Sequence, residues 1–195
     1  MMTQSIKSAK THQDPEYVIN PKKFVLWLLI VASVMLFAGF TSAYIVRHGE
    51  GNWRVYELPS LFTTSTIVIA LSSIFMQWAY LAAKKDELGQ IKIALGITLA
   101  LGICFGICQW FAYGQLVQNN VYFTGNPSES FVYIISFMHL MHMVGGVIFV
   151  LVTFIKSLRL NVHKKSLLTI NLCNTYWHFL GILWVYLFVF FQLNR

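Results

Sequence analysis

The sequence predicts an all-α, polytopic membrane protein, a bundle of five transmembrane helices. Three observations carry that prediction. Five apolar runs, near residues 24–46, 58–83, 91–117, 131–155 and 167–193, each exceed the roughly 20 residues that cross a hydrocarbon core. Hydrophobic residues make up 57% of the 195 and charged residues 11%, against about 25% charged in a soluble domain. The charges gather in the connections between the runs. In a soluble chain the formal charge of +7 would suggest nucleic acid; here its placement reports topology, and no nucleic-acid partner is expected.

Residues 1–22 form a polar tail, predicted to be cytoplasmic, and 23–195 form the transmembrane domain. The first apolar run is about twice the length of a signal-peptide core, so it reads as a span. It begins at Phe24, is flanked by Lys22, Lys23 and Arg47, and carries Ala32, Gly39 and Ala43 as a small-residue face for helix contact. In the loop that follows, Trp53 and Tyr56 suit an interfacial aromatic belt. The second span, Leu58 to Ala83, has Pro59 at its helix start, where a missing N–H costs nothing, and Ser65, Ser72 and Gln77 give it a mildly polar face.

The third span contains Gly102 and Gly106 in a GxxxG step that Gln109 and Tyr113 continue; packing within the chain is the expected use. Residues 118–130 are expected to be loop. In the fourth span, Ser136, His139, His142 and Gly146 recur at three- and four-residue steps and share one side. The last span carries Asn171, Asn174, His178 and Gly181 at the same spacing, a polar and small stripe on an apolar cylinder. An imidazole and two amides do not face hydrocarbon cheaply. The rest of the chain, or a partner, must cover them.

Five spans put the termini on opposite sides. Lys7, Lys10, Lys22, Lys23, Lys84, Lys85, Lys92, Lys156, Arg159, Lys164 and Lys165 fall on one side and Arg47, Arg54 and Arg195 on the other. That bias places the N-terminus in the cytoplasm and the C-terminus outside.

Chemistry of the chain's own has few candidates. His139, His142 and His178 are able to hold a metal or haem, but no Cys, Asp or Glu in the predicted spans completes a tetrahedral set. Imidazoles bonded to facing helices are the expected reading. Cys104, Cys108 and Cys173 read as small buried hydrophobes. The predicted spans hold no acid, which counts against a stand-alone pump or transporter. No phosphate loop, nucleophile elbow or metalloprotease helix occurs.

Several local patterns appear in a fixed order. They are Glu57-Leu58-Pro59 with the run to Ser72-Ser73, Gln109 with Tyr113, His139-Leu140-Met141-His142 with Gly146, and Tyr176-Trp177-His178-Phe179 followed by Trp184. From about Phe24 to Phe191 the chain resembles subunit III of haem–copper terminal oxidases, in its five-helix form. The resemblance implies a bacterial plasma-membrane subunit with no cofactor of its own, haem and copper being on its partners, subunits I and II. It also implies bound phospholipid in a helix cleft, packing on catalytic subunit I, support of its stability and proton uptake during O2 reduction, and a place in a larger respiratory supercomplex. A quinol oxidase or a nitric-oxide-reductase-associated homologue would share the pattern, and a stand-alone transporter is the rival of another class. Where the family carries carboxylates this chain aligns Ser33, Ala112 and Gly181, so roles resting on those acids do not transfer. His178 then needs another acceptor, expected to be Asn171, Asn174 or a hydroxyl on a facing helix.

Overall fold

The computed structural model describes residues 20–54, 56, 58–158 and 165–194. The tail to residue 19, Glu57, Arg159, His163, Lys164 and Arg195 lie outside them. Five helices account for nearly all of it: α1 (Pro21–Gly49), α2 (Ser60–Lys84), α3 (Leu88–Gln118), α4 (Pro127–Leu158) and α5 (Lys165–Leu193). All five are long and apolar enough to cross a membrane.

The ends follow ordinary capping chemistry. Asn20 caps α1, its side chain accepting from Lys22 N at 3.2 Å, with Pro21 just inside, where a missing N–H costs nothing. Pro59 stands at the start of α2 as the residue just before its first turn, the second residue of the span expected from Leu58. α2 and α3 meet through a three-residue turn in which Asp86 takes φ +56°. Beside that turn Ala79, Ala82, Ala83 and Ala94 are fully buried. Side chains this small let two backbones approach closely, which is how helices gain dispersion contact in a bilayer.

α2, α3, α4 and α5 form a ring in which each touches the next and α5 closes back on α2; α1 lies outside, against α4 and α5 only. The larger core, around Phe62, Phe105, Trp177 and Trp184, fills the ring, and a smaller one, around Phe37, Tyr44, Leu187 and Phe191, seats α1. The inward face of α1 is Leu26, Ile30, Ser33, Phe37, Thr41 and Tyr44. Ala32, Gly39 and Ala43 point outward, contrary to expectation. The reason is that α1 needs large side chains to reach the furrow between α4 and α5, and Phe37 and Tyr44 supply them.

α4 starts at Pro127, four residues earlier than the sequence suggested, and so takes in Glu129. This carboxylate is 1% exposed and holds the connections together. It accepts from Arg54 Nη1 at 2.9 Å and from Tyr122 N at 3.0 Å, while Asn126 Nδ2 donates to Asn52 O at 2.8 Å. Trp53 packs edge-on to Tyr44 and His48, and Tyr56 donates to Ser128 O at 3.4 Å. Trp53 thus packs on the end of α1 and Tyr56 on the start of α4. Burial, reinforced by neighbouring Tyr44 and Glu129, pushes the Tyr56 phenol well above its ordinary pKa, so it stays neutral.

Candidate functional site

The polar residues of the spans form cross-links between helices. α5 supplies the central ones. Trp177 Nε1 donates to Ser72 Oγ on α2 at 2.7 Å, and one turn pair further along Trp184 Nε1 donates to Thr66 Oγ1 at 3.0 Å. The Trp177 ring fits because Gly102 leaves room, a methyl there standing 2.6 Å from its Cη2, and Gly146 makes room for the neighbouring Leu180, a methyl there standing 2.6 Å from Leu180 Cδ1. Gly106, the other half of the GxxxG step, has open space around it. One glycine of that pair packs and the other does not.

Two further bonds tie α3 to its neighbours. Gln109 Nε2 donates to Ser65 Oγ at 2.9 Å, and Tyr113 OH donates to Ser136 Oγ at 3.1 Å. His139 is wholly buried against Phe37, Phe105 and Trp184, with neither ring nitrogen bonded. His142, half-buried, turns Nδ1 to Met138 O at 2.7 Å and faces Phe37. His178 lies apart from both, on the α2 side, and among the described residues no three His, Cys, Asp or Glu side chains group as a metal set.

His178 bonds neither Asn171 nor Asn174 nor a hydroxyl. Its Nε2 pairs with Gln77 Oε1 at 3.2 Å, and Asn174 Nδ2 donates to the same carbonyl at 3.1 Å. Gln77 is the residue that sequence reading placed on a polar face without seeing its use. Gly181 lets Ser73 close on α5, a methyl there standing 3.0 Å from Ser73 Oγ. Asn171, half-buried, stands outside this cluster. Ser33 Oγ bonds Leu29 O within its own helix at 2.8 Å and Ala112 is fully buried, so neither place demands a charge. Cys104 faces outward and Cys108 is half-buried; only Cys173 is buried as expected.

Two concavities mark the outside. A cleft of about 580 Å³ opens between the start of α1 and α4 and α5, with Leu26, Leu29, Phe149 and Tyr176 along it and Lys22 and Lys156 beside it. On the other flank of α5, hollows of about 310 and 440 Å³ share Ser73 and His178 and run together as a groove between α2 and α5.

A family model described as cytochrome c oxidase subunit III matches residues 51–193. A probable cytochrome c oxidase subunit 3 of Nocardia farcinica (strain IFM 10152) is 28% identical over 169 residues, spanning 84% of this chain and 82% of that protein. The cytochrome bo(3) ubiquinol oxidase subunit 3 of Buchnera aphidicola subsp. Schizaphis graminum (strain Sg) is 24% identical over 184 residues, 92% of this chain and 97% of that one. The cytochrome c oxidase subunit 3 of Bacillus sp. (strain PS3) is 22% identical over 167 residues, 83% and 80%. The match runs from the α1–α2 loop through the end of α5 and takes in the Glu129 contacts, both tryptophan cross-links and the α2–α5 groove. With five membrane-length helices and that coverage, the chain belongs to the cytochrome c oxidase subunit III family.

Proposed function

We propose that this chain is the accessory third subunit of a haem–copper terminal oxidase, packing on catalytic subunit I beside subunit II and carrying no redox centre itself. One observation carries the reading: the buried side chains Gln109, Trp177 and Trp184 bond across helices instead of converging on a cavity where a substrate would react. Haem, copper and the reduction of O2 to water belong to the partners. The chain's contribution to proton uptake is indirect, through the stability of subunit I, because its one buried carboxylate among the described residues, Glu129, is committed to Arg54. The lysine-rich ends face the cytoplasm, and the C-terminus lies outside.

The cleft beside Lys22 and Lys156 suits a phospholipid: acyl chains along Leu26, Leu29 and Phe149, and a phosphate within reach of two ammonium groups at the helix ends. Purification in mild detergent tests the whole reading. The chain is expected to co-purify with haem protein, and native mass spectrometry to find phospholipid that Lys22→Gln with Lys156→Gln releases. Transport of a solute by the isolated chain in liposomes, with no haem protein associated, would overturn it. A quinol oxidase is the second reading, favoured by the 24% identity to a ubiquinol oxidase subunit over nearly the full chain. Oxidation of reduced cytochrome c against quinol by the purified complex separates the two.

A further inference from the structure

We infer that the groove between α2 and α5, floored by Ser73, Gln77, His178 and Gly181, is the seat of a transmembrane helix from a haem-bearing partner subunit. This rests on the reading above and names the face that it uses. The groove has polar atoms that this chain leaves unanswered. Gln77 Oε1 already takes Asn174 Nδ2 and His178 Nε2, which makes His178 Nδ1 an acceptor and leaves the Gln77 amide N–H groups free. Among the described residues nothing bonds to the Gln77 Nε2 or to His178 Nδ1.

Depth decides what can. Gln77 stands seven residues inside the end of α2 at Lys84, about 10 Å along the axis, and His178 thirteen residues inside α5, about 20 Å, near its middle. His178, near the middle of a helix longer than the roughly 30 Å hydrocarbon layer, lies where neither water nor a lipid headgroup is at hand, and Gln77 reaches it from one turn or two inside the basic end of α2. An acyl chain could fill the hollows but could not accept from Gln77 or donate to His178. A helix could do both through one polar side chain. The surface is also shaped for one: Gly181 and Ser73 keep the floor low, and Ile74, Trp78, Ile182 and Val185 form apolar walls. The required occupant is therefore a helix offering small residues and one amide or hydroxyl at mid-membrane depth.

The test uses the intact complex, with photoreactive p-benzoylphenylalanine at Ile74 or Ile182 on the groove walls. The same probe at Met35 on α1 or Ile103 on α3, both exposed outside the groove, serves as control. Illumination and peptide mapping are expected to give adducts with a membrane-embedded peptide of the haem-bearing subunit from both groove positions and not from the controls. Adducts only with phospholipid or quinone, or equal protein capture from all four positions, would overturn the inference. Gln77→Leu, which keeps the groove's size but removes its donors, should lower retention of the chain on the complex during detergent washing roughly three- to twenty-fold. Because Gln77→Leu also removes the acceptor of Asn174 Nδ2 and His178 Nε2, the loss on washing is read relative to the variant's own amount in membranes before solubilisation. Unchanged retention with both Gln77→Leu and Gly181→Leu would equally refute the groove. If the wild-type chain carries no haem protein, the broader reading has failed; if it does and the groove captures nothing, only this inference has.

Discussion

Adding one methyl at Gly102 should damage the bundle while adding one at Gly106, four residues away on the same helix, should not. An ideal Cβ at Gly102 stands 2.6 Å from Trp177 Cη2 and 3.2 Å from both Trp177 Cζ2 and Val147 Cγ2. Comfortable carbon contacts lie at about 3.5–4.0 Å, so the ring would have to move by about 1 Å. Moving would stretch the 2.7 Å bond from its Nε1 to Ser72 Oγ, and the ring is almost wholly buried. Overpacking of this kind costs about 1–3 kcal/mol. At about 2–4 °C per kcal/mol for a chain of this size, Gly102→Ala should lower the thermal midpoint of the purified protein in detergent by about 2–12 °C. Gly106→Ala meets nothing within 4 Å and should leave the midpoint unchanged or slightly higher. Trp177→Leu in the Gly102→Ala background should cost less than it does alone, because the methyl then fills space the indole vacated. Equal midpoints for Gly102→Ala and Gly106→Ala would show that Trp177 is not confined as described.

His139→Leu should be neutral or raise stability by up to about 1 kcal/mol, since it removes two unbonded ring nitrogens from an apolar cage; a large drop in midpoint would mean that His139 has a partner. Phe37→Ala should cost about 3–5 kcal/mol in the docking of α1, read as faster hydrogen exchange in α1 with α2 and α3 unaffected. Glu129→Ala leaves Tyr122 N and Asn126 N without their acceptor and should cost about 2 kcal/mol, with proteolysis of the loop between α3 and α4 as readout. Arg54→Ala should cost less, about 1 kcal/mol, because its side chain is half exposed and water can replace it.

The spans were legible because hydropathy is a property of the segment alone. Which face of a span meets protein was less so: in a bilayer both the buried face and the lipid face are apolar, so periodicity loses its contrast. That is why Ala32, Gly39 and Ala43 suggested a contact they do not make, and why Cys104 looked buried. Polar residues kept their signal. Ser65, Ser72, Gln109, His139 and Asn174 were readable as inward because an unpaired dipole in lipid is costly, and all are buried. Their pairings were not readable. That Gln77 serves both Asn174 and His178 depends on how α2 lies against α5, and Gln77 is 97 residues from Asn174 in the chain. Glu129 escaped notice because Asn126, Pro127 and Ser128 look like loop chemistry, yet together they make a helix start.

The place of α1 has a consequence for how the protein is made. A ribosome delivers the spans in sequence, so α1 enters the bilayer before the other four, but its seat is built by α4 and α5, which follow α2 and α3. α2 and α3 can zip together as soon as both are in, through their short turn and alanine-lined contact. Until α4 and α5 follow, the pioneer span drifts without a mooring, and premature termination after α3 would leave it a target for membrane quality control.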